Sequence, residues 1–184
     1  MDTIGKKQGC DIRKKRYVHV YTGDGKGKTT AAMGLALRAI GAGWRVFFCQ
    51  FLKEGEFSEI KALRTFGDRV TVRQFGVGRF IKGVPDERDI ELAQRGLEEV
   101  KGILGQGLYD LVVMDEINVA VHYGLIGIDQ MTALLRERPS DVELVLTGRW
   151  ADERIIGDAD VVTEMRCVKH YYEKGVNGRV GIER

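Results

Sequence analysis

The chain has 184 residues, 43% of them hydrophobic, which suits one buried core and leaves too little for two sizeable ones. Its 29 basic and 27 acidic residues leave a formal net charge of +2, a balance that argues against nucleic acid as the main partner, and no apolar run approaches the roughly 20 residues a bilayer span needs. Cys10, Cys49 and Cys167 are odd in number and far apart, so free thiols in a reducing cytoplasm are expected rather than disulfides or zinc ligands.

Met1 to Arg16 is polar and basic, ending in Arg13-Lys14-Lys15-Arg16, and lacks the apolar run of a signal peptide. It reads as a flexible segment, either solvated or folded over a ligand or a neighbouring subunit. From Tyr17 the texture changes to strands alternating with helices. Tyr17 to Tyr21 is β-rich and runs directly into glycines, while Thr29 to Ile40 places Ala32, Leu35, Ala36, Ala39 and Ile40 on one helical face before Gly41 and Gly43 close it. Val46-Phe47-Phe48-Cys49 is a continuous apolar run, the pattern of a strand covered on both faces. Ser58 is placed to cap a short helix carrying Ile60 and Leu63, a strand follows over Val70 to Val72, and Gly76 to Val84 is irregular. Asp86 opens the longest helix, with Ile90, Ala93, Leu97, Val100 and Leu104 alternately three and four residues apart. Leu111 to Met114 is a second apolar strand, ending in Asp115-Glu116; Ile128 to Arg138 is a helix stopped by Pro139. Val142 to Thr147 and Asp160 to Thr163 supply two more strands.

This order predicts an α/β fold in which a mostly parallel sheet carries helices on both faces and ligands bind beyond the carboxyl ends of the strands. The residues to inspect are those that follow strands: the glycine loop, Gln50 and Phe51, Asp115 and Glu116, Gly148 and Arg149.

The loop Gly23-Asp24-Gly25-Lys26-Gly27-Lys28-Thr29-Thr30 lies between a strand and an amphipathic helix. Glycines let successive backbone N–H groups curl around phosphate oxygens, and the helix that follows turns its free N–H groups and positive dipole end to the same anion. Lys28 adds an ammonium and the Thr29 hydroxyl a ligand for Mg²⁺. The pattern departs from the usual one at its first position, where Thr22 replaces glycine. We therefore expect residues 17–184 to form a single P-loop (RecA-like) domain that binds a nucleoside triphosphate. Asp115 and Glu116, delivered by a buried strand, are expected to divide two tasks, one meeting the metal and the other anchoring loops; carboxylates in such places also cap loops or pair with lysines. His19, His122 and His170 offer no evident general base.

The segments Val18 to Ala32, Gln50-Phe51, Asp110 to Asn118, Glu143 to Arg149, Val162 to Arg166, Val168 to His170, Lys174 to Val176 and Gly181 to Glu183 together resemble the P-loop-type corrinoid adenosyltransferases. They do so in the family's order over nearly the whole chain from Tyr17. The resemblance implies transfer of the 5′-deoxyadenosyl group of ATP to the cobalt(I) of a reduced corrinoid, with triphosphate released. Cobalt is then the nucleophile, which agrees with the missing base. It implies that Lys26 and Lys28, with the loop amides, stabilise the leaving triphosphate, and that Gly23, Asp24, Gly25, Gly27 and Thr30 complete the cradle. It further implies that Thr29, Glu116 and Asp115 hold Mg²⁺ or Mn²⁺, that Arg38 contacts the nucleotide, and that Phe80 takes the aromatic part at the corrin. A homodimer whose basic N-terminal segment covers the neighbour's site, and a reduced flavoprotein as electron donor, complete the expectations. A zinc-lidded small-molecule kinase and a non-catalytic ATP-dependent module remain the alternatives.

Overall fold

The computed structural model describes residues 15–78 and 85–183. Six strands, β1 (Val18–Thr22), β2 (Val46–Phe51), β3 (Val70–Phe75), β4 (Leu111–Asp115), β5 (Glu143–Thr147) and β6 (Val161–Glu164), form one sheet in the order β3-β2-β4-β5-β1-β6. Every pairing is parallel, so the sheet is more uniform than the sequence pattern alone requires. β3 runs on to Phe75, three residues past the predicted end, because Gln74 and Phe75 continue in register with Gln50 and Phe51.

Helices cover both faces. α1 (Lys28–Gly41) and α2 (Ser58–Arg64) lie on one; on the other lie α3 (Glu87–Gln106), α4 (Ile117–His122), α5 (Ile128–Glu137) and α6 (Glu153–Asp158). On α1, Ala32, Ala36 and Ala39 replace longer side chains, so the helix backbone packs closely on Phe48, Val113 and Val145. Beneath α3, Leu97 and Val100 pack with Phe47, Phe51 and Met114. Gly96 is required there: a Cβ would stand 2.7 Å from the Phe75 ring and 2.8 Å from that of Phe51.

Side-chain caps mark the starts of α3 and α6, where Asp86 and Asp152 accept from backbone N–H groups of the first turn. Asp86 accepts from the Asp89 N–H at 2.9 Å and Asp89 accepts in return from Asp86 N–H at 3.1 Å, a reciprocal cap on α3. Ser58 does not cap α2 as expected. Extended Phe57 holds the cap position, since its carbonyl already accepts from Lys61 N–H at 3.1 Å and Ser58 is the first helical residue. The six-residue helices α4 and α6 were not expected, being too short to show a helical period. Among the described residues no helix is long and apolar enough to cross a membrane.

Candidate active site

β1 delivers Thr22 to the carboxyl edge of the sheet, and the chain turns through Gly23 and Gly27, at φ 93° and 121°, before α1 begins at Lys28. The loop is covered by the segment that follows β6. Gly25 N–H donates to Met165 O at 2.6 Å, and Met165 N–H donates back to Thr22 O at 2.8 Å. A Cβ on Gly23 would come within 2.3 Å of Met165 O, and one on Gly25 within 2.7 Å of the same atom. The glycines are thus demanded by the protein's own backbone as well as by any phosphate. Thr22, in the place of the usual first glycine, accepts from Ala151 N–H through its hydroxyl at 3.2 Å and ties the loop to the turn after β5.

The loop's charged side chains are each engaged. Lys28 is nearly buried, and its Nζ donates to Gly23 O and Gly25 O, both at 2.7 Å. Burial lowers its pKa against the pull of Glu116. Lys26 donates to Ile182 O at 2.9 Å and stands 3.8 Å from Glu183. Asp24 accepts from Cys167 N–H at 3.0 Å, and that bond is the main cause holding its carboxyl below the usual value.

Facing the loop is Asp115, the last residue of β4 and fully buried. Its Oδ1 accepts from Thr29 Oγ1 at 2.8 Å and Thr147 Oγ1 at 2.6 Å; its Oδ2 accepts from Gln50 Nε2 at 3.1 Å and Lys53 Nζ at 2.9 Å. Four donors fill the acceptor sites a carboxylate has. Burial alone would push the Asp115 carboxyl up, yet the Lys53 ammonium and the two threonine hydroxyls hold it below the ordinary aspartate range. Burial would likewise depress Lys53, and Asp115 and Glu116 outweigh it, keeping the ammonium charged.

Glu116 behaves differently. Its side chain is about a quarter exposed and lies 3.6 Å from Lys53. Burial first, then Asp115, raises its pKa above the usual glutamate value. Its backbone is left-handed at φ 61°, and the other described non-glycine residues with positive φ, Leu52 and Trp150, also follow strands at this edge. Backbone strain is therefore gathered at the carboxyl edge of the sheet.

The donor set fits a hard divalent cation. With its proton directed at Asp115, the Thr29 hydroxyl keeps lone pairs free, and Glu116 adds a carboxylate whose oxygens are not all taken. Among the described residues no three His, Cys, Asp or Glu side chains cluster as a cage. One hydroxyl and one carboxylate, completed by phosphate oxygens and water, is a set that Mg²⁺ accepts.

The family model for ATP:corrinoid adenosyltransferase BtuR/CobO/CobP matches residues 14–184. The chain belongs to this family. The adenosyltransferase is similar to the corrinoid adenosyltransferase of Pseudomonas aeruginosa, 34% identical over 89% of this chain and 81% of that one. It is also similar to the corrinoid adenosyltransferase CobA of Salmonella typhimurium, 35% identical over 89% of this chain and 83% of that one. Among solved structures, the flagellar accessory protein FlaH from Methanocaldococcus jannaschii shares the fold, with TM-score 0.58 at 11% identity over 82% of this chain and 71% of that one.

In this adenosyltransferase the structure brings Gly23 to Thr29, Asp115 and Glu116 together, with Thr30 exposed on the first turn of α1. Arg38 is not part of that group. It is exposed in the last turn of α1, ten residues from Lys28 and so about 15 Å down the helix axis. Phe80 lies outside the described residues, as do Met1 to Lys14. The sequence reading missed Lys53 and Thr147, although both close or follow strands that end at the site and the same strand-end rule points to them. It also missed the covering role of Met165 to Cys167, which depends on a fold-back that no local pattern shows.

Proposed function

We propose that the chain transfers the 5′-deoxyadenosyl group of ATP to the cobalt of a cobalt(I) corrinoid and releases triphosphate. The observation that carries this reading is the union of the glycine loop with the Thr29–Asp115–Lys53–Glu116 cluster, placed by a fold and a family for which ATP and a corrinoid are the substrates. In the reaction the cobalt(I) electron pair forms the bond to C5′, the C5′–O bond breaks, and its electrons leave on the triphosphate while cobalt becomes cobalt(III).

No proton need be removed to make this nucleophile, and the histidines are arranged accordingly. His19 Nε2 is held 2.6 Å from Glu143, His122 is stacked on Trp150, and His170 caps the Tyr171–Lys174 turn. The protein's task is to orient C5′ and to stabilise charge growing on the leaving group. Lys28, released from Gly23 O and Gly25 O, and Lys26, released from Ile182 O, are the cations for that charge. Mg²⁺, held by Thr29 and Glu116, would neutralise phosphate oxygens; Asp115 holds Thr29, Thr147, Gln50 and Lys53 in place.

Phe80 takes the aromatic part at the corrin in this reading, and a reduced flavoprotein supplies the electron. The working unit is a cytoplasmic homodimer. Val162 is 42% exposed on β6 and Val168 94% exposed beyond it, apolar surface that supports burial between two copies. The test is to mix the protein with Mg²⁺–ATP and chemically reduced corrinoid. A light-sensitive cobalt–carbon spectrum with intact triphosphate is expected; diphosphate with an unchanged corrinoid spectrum overturns the reading.

A further inference from the structure

We propose that Trp150 and His122 form a stacking shelf for a planar heteroaromatic base, beside the phosphate loop. The inference rests on the triphosphate reading of that loop and adds a subsite to it.

The two rings stack with centroids 4.5 Å apart and planes 29° from parallel. Tyr123 meets both edge-on, at 5.4 Å from His122 and 6.1 Å from Trp150, so two neighbours fix the indole's orientation. Despite these contacts Trp150 is 49% exposed, and its backbone is left-handed at φ 57°, a conformation that costs energy in a residue with a bulky side chain. A tryptophan oriented by two rings, held on strained backbone and left half in water is a preorganised contact surface rather than core packing.

Trp150 and His122 border an open cleft of about 490 Å³ whose other walls include Val121, Ile126, Ile128 and Glu153. Val121, Ile126 and Ile128 suit the faces of a flat ring, and Asp152 and Glu153, also in the lining, bring carboxylates suited to an exocyclic amine or ring N–H. The cleft adjoins the loop through both chain neighbours of Trp150. Arg149 Nη2 lies 3.4 Å from Asp24 O, and Ala151 N–H donates to the Thr22 hydroxyl at 3.2 Å. A ligand anchored on the loop by its phosphates therefore has the shelf within reach of its base. Stacking tolerates many bases, because each has a π-face. The base could be the adenine of ATP or one carried on the tail of a complete corrinoid.

The test uses the full chain with Trp44→Phe, which leaves Trp150 as the one indole of the two in the sequence. Binding of inorganic triphosphate, a non-hydrolysable ATP analogue, a base-bearing corrinoid and a corrinoid lacking the base is measured by calorimetry. The fluorescence of Trp150 is followed for the nucleotide and for adenosine. Trp150→Ala should weaken at least one base-bearing ligand about tenfold or more and leave triphosphate and the tail-less corrinoid unchanged, while Trp150→Phe should retain most of the affinity. Loss confined to the ATP analogue assigns the shelf to adenine; loss confined to the base-bearing corrinoid assigns it to the tail. Equal affinities of parent and Trp150→Ala for all four ligands overturn the shelf. Quenching of Trp150 by adenosine in a parent that does not bind triphosphate would keep the shelf and sink the triphosphate reading.

Discussion

The Thr29 hydroxyl donates to Asp115 Oδ1 at 2.8 Å, joining the first turn of α1 to the end of β4 although β5 lies between β4 and β1 in the sheet. The inserted strand takes part in the same contact, since Thr147 at its end donates to that oxygen at 2.6 Å. One carboxylate oxygen thereby fixes the hydroxyl that faces the phosphate loop.

Thr29→Val removes that hydroxyl with little change of volume. The fold should lose about 1 kcal/mol, the worth of one hydrogen bond. Mg²⁺ should tighten ATP binding to the parent and have no such effect in the variant. Calorimetric titration of ATP with and without Mg²⁺ checks this, and equal metal dependence in both proteins would remove Thr29 from the metal site.

The two adjacent carboxylates should separate by what they damage. Asp115→Ala leaves Lys53, Gln50 and two threonines without their acceptor in a buried place, and should cost about 3–5 kcal/mol in urea unfolding. Glu116→Gln touches a partly exposed side chain. It should change stability by no more than about 0.5 kcal/mol yet lower adenosyl transfer at least tenfold. The reverse pattern would exchange the roles assigned to them.

Their pH dependences should also oppose each other. The Asp115 carboxyl is held below its unfolded value of about 3.9, so the folded state binds its proton less readily than the unfolded state. Its contribution is complete above that pH and is lost as pH falls through the folded value. Glu116 is raised above its unfolded value of about 4.3, so its contribution is present at low pH and is lost as pH rises through the folded value. Urea midpoints from pH 2 upward should accordingly fall less steeply in acid for Asp115→Asn than for the parent. For Glu116→Gln the decline in Glu116's contribution as pH rises from about 4 should disappear.

Gly25 and Gly34 offer a contrast of location. A Cβ on Gly25 meets Met165 O at 2.7 Å and Arg166 O at 2.8 Å, both backbone atoms that cannot swing aside. Gly25→Ala should displace the segment after β6, lower Tm and abolish ATP binding. Gly34 sits inside α1 with nothing within 4 Å of its would-be Cβ. Gly34→Ala should raise stability by about 0.4–1 kcal/mol and leave turnover unchanged. A stable, ATP-binding Gly25→Ala protein would show that the covering segment yields.

Much of this protein was legible along the chain. The apolar runs Val46–Cys49 and Leu111–Met114 announce buried parallel strands, because a strand covered on both faces has no polar side to alternate with. The glycine loop between β1 and α1, and Asp115-Glu116 at the end of β4, are contiguous signals, so their place at the sheet edge follows from local pattern. What tertiary structure decided is which groups meet. The insertion of β5 puts Thr147 against Asp115, and the end of β2 swings Lys53 between the carboxylates. These pairs stand 32 and 62 residues apart, distances at which sequence patterns carry no information on contact. The different surroundings of Asp115 and Glu116 have the same origin. Two adjacent acids look alike in a sequence, but the fold buries one among four donors and leaves the other partly exposed beside Lys53.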